Sequence, residues 1–306
     1  VDIIQEGLEQ LNYIGNQQIA TAVFLAYHLE KPILIEGPPG VGKTELAKTV
    51  AEMLNLECIR LQCYEGLDES KAIYEWKYGK QLLYTQVLKE TLGEILDGAK
   101  GLTESVTKLH EFGDIFFSEE FLEPRPLLKA LKKEEGCVLL IDEIDKADIE
   151  FPNDLLQELD RMEFYCYETG ETIKAKKRPL IIITSNNEKE LPDAFLRRCF
   201  FHYIQFPDRA TMEDIVKVHY PKVKKNLVKE ALDVFFDIRK IPGMKKKPST
   251  SEALDWIKLL LIEDINPLDL KSDGKDLLPK LHGALIKNEQ DIHLFERLAF
   301  MARGNR

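Results

Sequence analysis

The spacing of apolar positions changes character several times along the chain. After Asn16, the residues Ile19, Ala22, Val23, Ala26 and Leu29 recur on one helical face, and Lys31-Pro32 ends that pattern. Ile33-Leu34-Ile35 is then continuously apolar, as expected of a short strand buried on both faces of a parallel sheet. A Gly/Pro loop follows, then a predicted helix from Thr44 to about Leu54 and a second strand over Glu57–Gln62. Cys137–Ile141, Leu180–Thr184 and Phe200–Phe206 supply three more apolar strands, so the pattern predicts five in all. Phe151–Phe164 reads as an amphipathic helix with Leu155, Leu156, Leu159 and Met162 on one side. Glu163–Lys176 alternates about the turn Glu168-Thr169-Gly170-Glu171 and predicts a β-hairpin. Residues 64–135 show no strong strand, only helices over Gln81–Leu96 and Leu127–Lys132 between glycine-punctuated loops.

Pro207 marks a shift. Beyond it helical periodicity dominates: Leu227, Ala231, Phe235 and Ile238 share a face, and Ser249-Thr250-Ser251-Glu252 has the form of a capping box opening a helix with Leu254, Ile257 and Leu261. The expected organisation is an α/β body over 1–207, with an insert at about 64–135 and the hairpin at about 163–177, then a helical domain over 208–306.

Composition narrows the class. A chain of 306 residues, 44% hydrophobic and 31% charged, can build a full core without disulfides or structural metal. A formal net charge of -11 argues against a nucleic-acid-binding surface. The five cysteines form no CxxC pair and none stands at zinc-ligand spacing to a histidine, which fits a reducing, cytoplasmic setting. The first residues, VDIIQEGLEQ, lack the order of a signal peptide, and no apolar run approaches a membrane span.

The chemistry begins at Gly37-Pro38-Pro39-Gly40-Val41-Gly42-Lys43-Thr44, a complete GxxxxGK[ST] between a strand and a helix, with Glu45 directly after it. Such a loop curls so that successive backbone N–H groups face phosphate, which requires glycine, and the helix that follows adds its positive end. Lys43 is placed to reach the β- and γ-phosphates of ATP, and Thr44 to offer its hydroxyl to Mg²⁺. Val138–Ile141 then delivers Asp142 and Glu143 at the C-terminal end of a buried strand. Asp142 is the expected second metal residue and Glu143 the group that polarises the attacking water. Asp145 and Asp148 read as acids favoured near a helix N-terminus. Leu180–Thr184 ends in Ser185-Asn186-Asn187, where an amide could meet phosphate or water, and Arg197-Arg198 follows.

GPPGVGKT, LLIDEID, TSNN and the arginine pair, in this order and before a helical C-terminal region, resemble the AAA+ ATPases over nearly the whole chain. Within them the chain looks most like the MoxR branch, through Ile19–Glu36, the stretches Gly66-Leu67-Asp68 and Tyr74-Glu75-Trp76, and Pro248–Trp256. The resemblance implies a P-loop αβα sandwich with a parallel five-stranded sheet and an all-helical lid. It implies that Asn186 is sensor 1, that Arg198 is the arginine finger with Arg197 as the alternative, and that Tyr13 and Ile14 contact adenine. It also implies a hexameric ring, a von Willebrand factor A domain partner, a client protein to be remodelled or matured, and a hairpin facing the ring pore. One departure is plain. The usual sensor-2 arginine has no counterpart between Lys240 and Trp256, leaving Lys247 as the nearest basic substitute.

A nucleic-acid-dependent AAA+ motor is the alternative, disfavoured by the acidic balance. A small-molecule kinase fits poorly with Glu143 beside Asp142, because an acid poised for water favours hydrolysis.

Overall fold

The computed structural model describes residues 1–87, 101, 103–104, 107, 117–270 and 278–304. They form two compact units: Thr21–Ile35 with Ala47–His202, and Val1–Ala20 with Glu36–Leu46 and Tyr203–Arg306.

The first unit is built on a parallel sheet of five strands, flanked by helices. Its strands are β1 (Ile33–Glu36), β2 (Cys58–Gln62), β5 (Val138–Asp142), β8 (Leu180–Ser185) and β9 (Phe200–Tyr203), in the order β2-β5-β8-β1-β9. All of Val138–Asp142 and Leu180–Ser185 is buried, which is why these strands are continuously apolar rather than alternating. In parallel register Cys58 faces Val138 and Gln62 faces Asp142, while Val138 faces Leu180 and Ile141 faces Ile183. This register aligns the C-terminal ends of β2, β5 and β8 at one edge, where α/β sheets carry their sites.

Two readings of the insert and the helix after β5 change. Residues 64–135 contain a short antiparallel pair, β3 (Tyr74–Trp76) with β4 (Leu122–Pro124). Three-residue strands are too short to show a two-residue period, so no pattern announced them. A helix runs over Tyr78–Val87, earlier than expected, and the rest of Gln81–Leu96 lies outside the described residues. The Pro126–Lys132 helix packs on β2 and β5 through Leu127, Leu128, Ala130 and Leu131. The Phe151–Phe164 segment is two short helices, Phe151–Asp154 and Leu156–Arg161, ended by Met162 in the left-handed region. Glu163 and Phe164 already belong to β6 (Glu163–Cys166), which pairs with β7 (Glu171–Lys174) as the predicted hairpin. Phe164 is buried against the Tyr74 ring at 5.4 Å, whereas Tyr165 and Tyr167 are exposed.

The second unit holds the helix Asp2–Gln10, which the sequence pattern did not predict, the phosphate loop, and a helical bundle. The bundle core gathers Met212, Val216, Leu227, Ala231, Phe235, Ile238, Trp256, Ile257, Leu260 and Phe295. The Thr250–Ile262 helix opens with the predicted capping box, Ser249 and Glu252 exchanging side-chain bonds to backbone N–H groups. β9 ends at Tyr203, short of the expected Phe206, whose ring instead lies 6.2 Å from Phe235 in the bundle.

Candidate active site

The expected nucleotide-binding residues divide between the two units. In the second unit, Lys43 opens the Lys43–Met53 helix and is buried. Its ammonium donates to the carbonyl oxygens of Gly37 at 2.6 Å and Pro38 at 2.9 Å, as a buried charge requires. Gly40 and Gly42 have φ of 76° and 91°, backbone that glycine adopts without penalty. Two of its glycines also leave no room for a side chain. A Cβ on Gly37 would strike the Ile204 carbonyl oxygen, and one on Gly40 would lie 2.6 Å from Ser249 Cβ. A Cβ on Gly42 would meet the Tyr13 ring at 3.6 Å. Of the remaining predicted residues, Pro39 and Glu45 are exposed, and Pro38, Val41, Thr44 and Ile14 are half-buried.

Tyr13 is buried against this loop. Burial, aided by the negative charge of Glu45, pushes its hydroxyl pKa well up, so it remains a neutral donor. Ser249 stands at the other side of the loop, on Gly40, at the start of the Thr250–Ile262 helix where a sensor-2 arginine was expected. Lys247 is exposed. The arginine that reaches this corner is Arg239, from the preceding helix: it hydrogen-bonds the Pro248 carbonyl and stacks 3.3 Å from the Phe206 ring centroid. Its distance in sequence from the capping box hid it.

In the first unit, the tips of β2, β5 and β8 assemble a polar network around two carboxylates. Asp142 is 1% exposed, and its Oδ1 accepts from the Thr184 hydroxyl at 2.6 Å. That same hydroxyl accepts the Glu143 N–H at 2.8 Å. Glu143 adopts φ 57° and ψ 53°, a left-handed conformation rare for a side-chain-bearing residue and held here by the network. Its Oε1 accepts from Asn186 Nδ2 at 3.3 Å, and its Oε2 from Gln62 Nε2 at 2.9 Å with Lys146 Nζ also at 2.9 Å. Burial pushes the Glu143 pKa up, but the Lys146 bond and charge, with the Asn186 amide, hold it below the usual carboxylate range. The carboxylate is therefore ionised at neutral pH.

Asp145, expected near a helix N-terminus, does more than favour one. It lies in the turn Ile144–Lys146, is 2% exposed, and accepts the N–H groups of Asn186 at 3.0 Å and Glu188 at 2.9 Å. It fixes the loop that carries Asn186. Thr184, Gln62, Lys146 and Arg60 also belong to the network, and sequence reasoning named none of them. The register of neighbouring strands brings Thr184, Gln62 and Arg60 to the carboxylates, while Lys146 is three residues past Glu143. Gln62 additionally lines a cleft of about 730 Å³ formed with Tyr64, Tyr74, Trp76, Arg125 and Glu168.

The arginine pair lies apart from this network, after the short helix Asp193–Leu196, and both members are exposed. Arg198 Nε pairs with Asp160 Oδ2 at 2.7 Å and its Nη1 donates to the Ala194 carbonyl at 2.9 Å.

A glycine-lined anion loop with a lysine, and an acid pair at the tip of a buried parallel strand, define an ATPase of the P-loop class. The model of the AAA domain, dynein-related subfamily, matches residues 32–199, and the chain belongs to that family. It is similar to uncharacterized proteins of Staphylococcus epidermidis, 25% identical over 240 residues, and Staphylococcus aureus, 27% identical over 240 residues. Each match covers 77% of this chain and 77% of the relative. Among solved structures, a candidate ATPase of Cytophaga hutchinsonii aligns over 84% of this chain and 72% of its own, at 16% identity and a TM-score of 0.44. The Hsp104–ADP complex of Saccharomyces cerevisiae aligns over 86% of this chain and 48% of its own, at 19% identity and a TM-score of 0.46. Among the described residues no helix is long and apolar enough to cross a membrane.

Proposed function

We propose that this chain is a MoxR-type AAA+ ATPase that hydrolyses ATP to ADP and phosphate and couples hydrolysis to the remodelling or maturation of a client protein. The observation that carries the reading is the Glu143 carboxylate. It is ionised, next to a buried Asp142, and held between Asn186 and Lys146 at the sheet edge. That is the environment of a group that orients and polarises water, not of a solvated strand end.

The residues fit the nucleotide and its metal. Gly37 and Gly40 stand where a Cβ would collide, and the glycine backbone angles leave the N–H groups to phosphate. Lys43 exchanges the carbonyls of Gly37 and Pro38 for phosphate oxygens, and Tyr13 with Ile14 borders the adenine side. Thr44 and Asp142 offer only oxygen donors, the set a hard divalent cation prefers. Mg²⁺, when bound, neutralises charge on the phosphoryl oxygens. Glu143 takes the proton of the attacking water as the bond to phosphorus forms and ADP leaves. Asn186 keeps the carboxylate aimed.

The rest of the reading extends from the MoxR resemblance. Residues 1–207 act as the nucleotide-binding domain and 208–306 as the lid. Subunits form a hexameric ring in the cytoplasm, with Arg198 completing the neighbouring site. A von Willebrand factor A domain protein delivers the client, and the exposed Tyr165 and Tyr167 of the hairpin meet it. The deciding experiment is capture with Glu143→Gln held in ATP. Enrichment of a von Willebrand factor A domain protein and one client, reversed by ADP, supports the reading. Nucleic acid in place of protein overturns it.

A further inference from the structure

The cleft beside β2 carries chemistry that ATP hydrolysis does not use. Four aromatic rings line it: Tyr64, Tyr74, Trp76 and Tyr78. Tyr64 and Tyr78 keep more than half of their surface in water, Tyr74 is half-buried, and Trp76 belongs to the core. The volume, about 730 Å³, lies within the roughly 300–1,000 Å³ of clefts that take a ligand. Four charged side chains share the lining, and three of them are spoken for. Lys71 Nζ lies 2.8 Å from Asp68 Oδ2, and Arg125 pairs with Glu75. Glu168 is the fourth, and among the described residues no cation pairs with it.

Glu168 is held by neutral donors from three elements. The Tyr74 hydroxyl, from β3, donates to Oε2 at 2.6 Å, and the Tyr78 hydroxyl, at the start of the Tyr78–Val87 helix, reaches Oε1 at 3.4 Å. The Cys166 thiol, at the end of β6, lies 3.7 Å from Oε2. Burial and the Glu168 bond push the Tyr74 hydroxyl pKa well up, so it stays a donor. These bonds fix the carboxylate of the hairpin turn against the cleft without neutralising it. A carboxylate offers about four acceptor positions, so both oxygens retain capacity. A half-buried carboxylate without a counter-charge is costly. Among aromatic rings, the complementary ligand is a flat, weakly hydrated cation. A guanidinium meets both demands, because its donor fork spans two carboxylate oxygens and its plane stacks on tyrosine or tryptophan. An ammonium is a point charge that holds its water more tightly.

We propose that this cleft recognises an arginine side chain on an extended peptide segment of a partner protein, with Glu168 as the counter-charge and the aromatic rings as the stacking surface. The space exceeds one arginine side chain, and the exposed Glu75–Arg125 pair in its lining offers an acceptor and donors to the flanking peptide backbone. The inference rests on the client-remodelling reading only for the origin of the peptide. The site itself stands on the cleft.

The test is fluorescence anisotropy of short, dye-labelled, otherwise neutral peptides that differ at one central position: arginine, lysine or citrulline, the uncharged isostere of arginine. They are added to the full chain without nucleotide. The arginine peptide should bind about tenfold or more tightly than the citrulline peptide, the scale of a charge-assisted pair, with lysine between them. Glu168→Gln keeps an acceptor for the tyrosine hydroxyls and removes the charge. It should bring the arginine peptide to the citrulline level and leave the citrulline peptide unmoved. Tyr78→Leu should weaken the arginine peptide about two- to fivefold, the worth of one exposed cation–π contact. Equal binding of arginine and citrulline peptides, binding of none, or lysine as tight as arginine overturns the proposal. So does an unchanged arginine preference in Glu168→Gln at the parent's melting temperature. Spermidine binding that depends on Glu168 while no peptide binds would make the site one for small polyamines and overturn the peptide. A readout on the unaltered protein guards against misfolded variants. The arginine peptide should shift the Trp76 indole N–H resonance; a shift confined to Trp256, the other tryptophan, counts against the cleft. Arginine-selective binding stands whether or not capture with Glu143→Gln finds a client, so the two readings fail separately.

Discussion

Asn186 Nδ2 lies 3.3 Å from Glu143 Oε1, joining the tip of β8 to the tip of β5. The bond matters because Glu143 sits in a left-handed conformation that its own chain does not favour. Asn186 is itself held, its N–H bonded to the buried Asp145 at 3.0 Å. Aim is thus passed from Asp145 to Asn186 to Glu143 by short bonds between rigid elements. Replacing Asn186 with Ala should lower turnover by about tenfold or more, as expected when a general base is kept but misaimed, with little change in ATP affinity. Single-turnover kinetics beside an equilibrium binding measurement would separate the two effects.

Lys43 and Glu143 should divide binding from chemistry. Lys43→Ala removes the cation proposed to meet phosphate, so ATP affinity should fall below detection in a standard titration. Glu143→Gln should bind ATP normally and lose about 10²-fold or more in phosphate release. Turnover near the parent rate in Glu143→Gln would falsify its role as the base.

Glu143 also sets a pH dependence. Its pKa is depressed in the folded protein, with Lys146 the main group opposing burial. A depressed carboxylate pKa contributes stability above the unfolded value and loses it as pH falls through the folded value. The acid limb of hydrolysis in the parent should therefore lie below the usual carboxylate range. Lys146→Met should move that limb to higher pH while the rate on the plateau changes less. A pH–rate profile of the two proteins, with identical limbs, would rule this out.

Gly40 should tolerate no side chain. Gly40→Ala places a Cβ 2.6 Å from Ser249 Cβ and forces alanine to φ 76°. The left-handed conformation alone costs about 1–2 kcal/mol, and the clash adds to it. Lowered melting temperature and weakened ATP binding together are expected. Gly40→Ala with Ser249→Gly should recover part of the loss, since both colliding side-chain atoms, Cβ and Oγ, are gone; no recovery would place the whole effect in the backbone.

Arg198 offers a test of assembly. Its present partner, Asp160, is an exposed pair whose net worth is about 0–1 kcal/mol, so the arginine can be redirected cheaply. Arg198→Ala and Glu143→Gln should each be nearly inactive alone. Mixed, an Arg198→Ala subunit keeps its own Glu143 and can take Arg198 from a Glu143→Gln neighbour, so activity should reappear. If subunits exchange and the mixture stays dead, Arg198 does not act in trans, and the same mixing with Arg197→Ala examines its neighbour.

Much of this protein follows from local order in the chain. The strand at Val138–Asp142 is legible because a strand buried on both faces must be apolar at every position, and the phosphate loop because its backbone angles demand glycine at fixed offsets. The Ser249 capping box is legible because its partners are three residues apart. Each of these is set by interactions along the chain or by burial common to a whole segment. The network around the acids is not of that kind. Arg60 reaches Asp142 across 82 positions, and Thr184 reaches it across 42. Arg60 read alone is a charged strand residue, and Thr184 the end of an apolar run. The three-residue strands β3 and β4 likewise find their strand partners only in each other, since neither is long enough to show a periodic face of its own. The short-range pattern determined the elements and the residue types the chemistry needs. Which side chain holds Asp142, and which ones aim Glu143, was decided by strand register, because only parallel pairing of β2, β5 and β8 brings distant positions within hydrogen-bond reach.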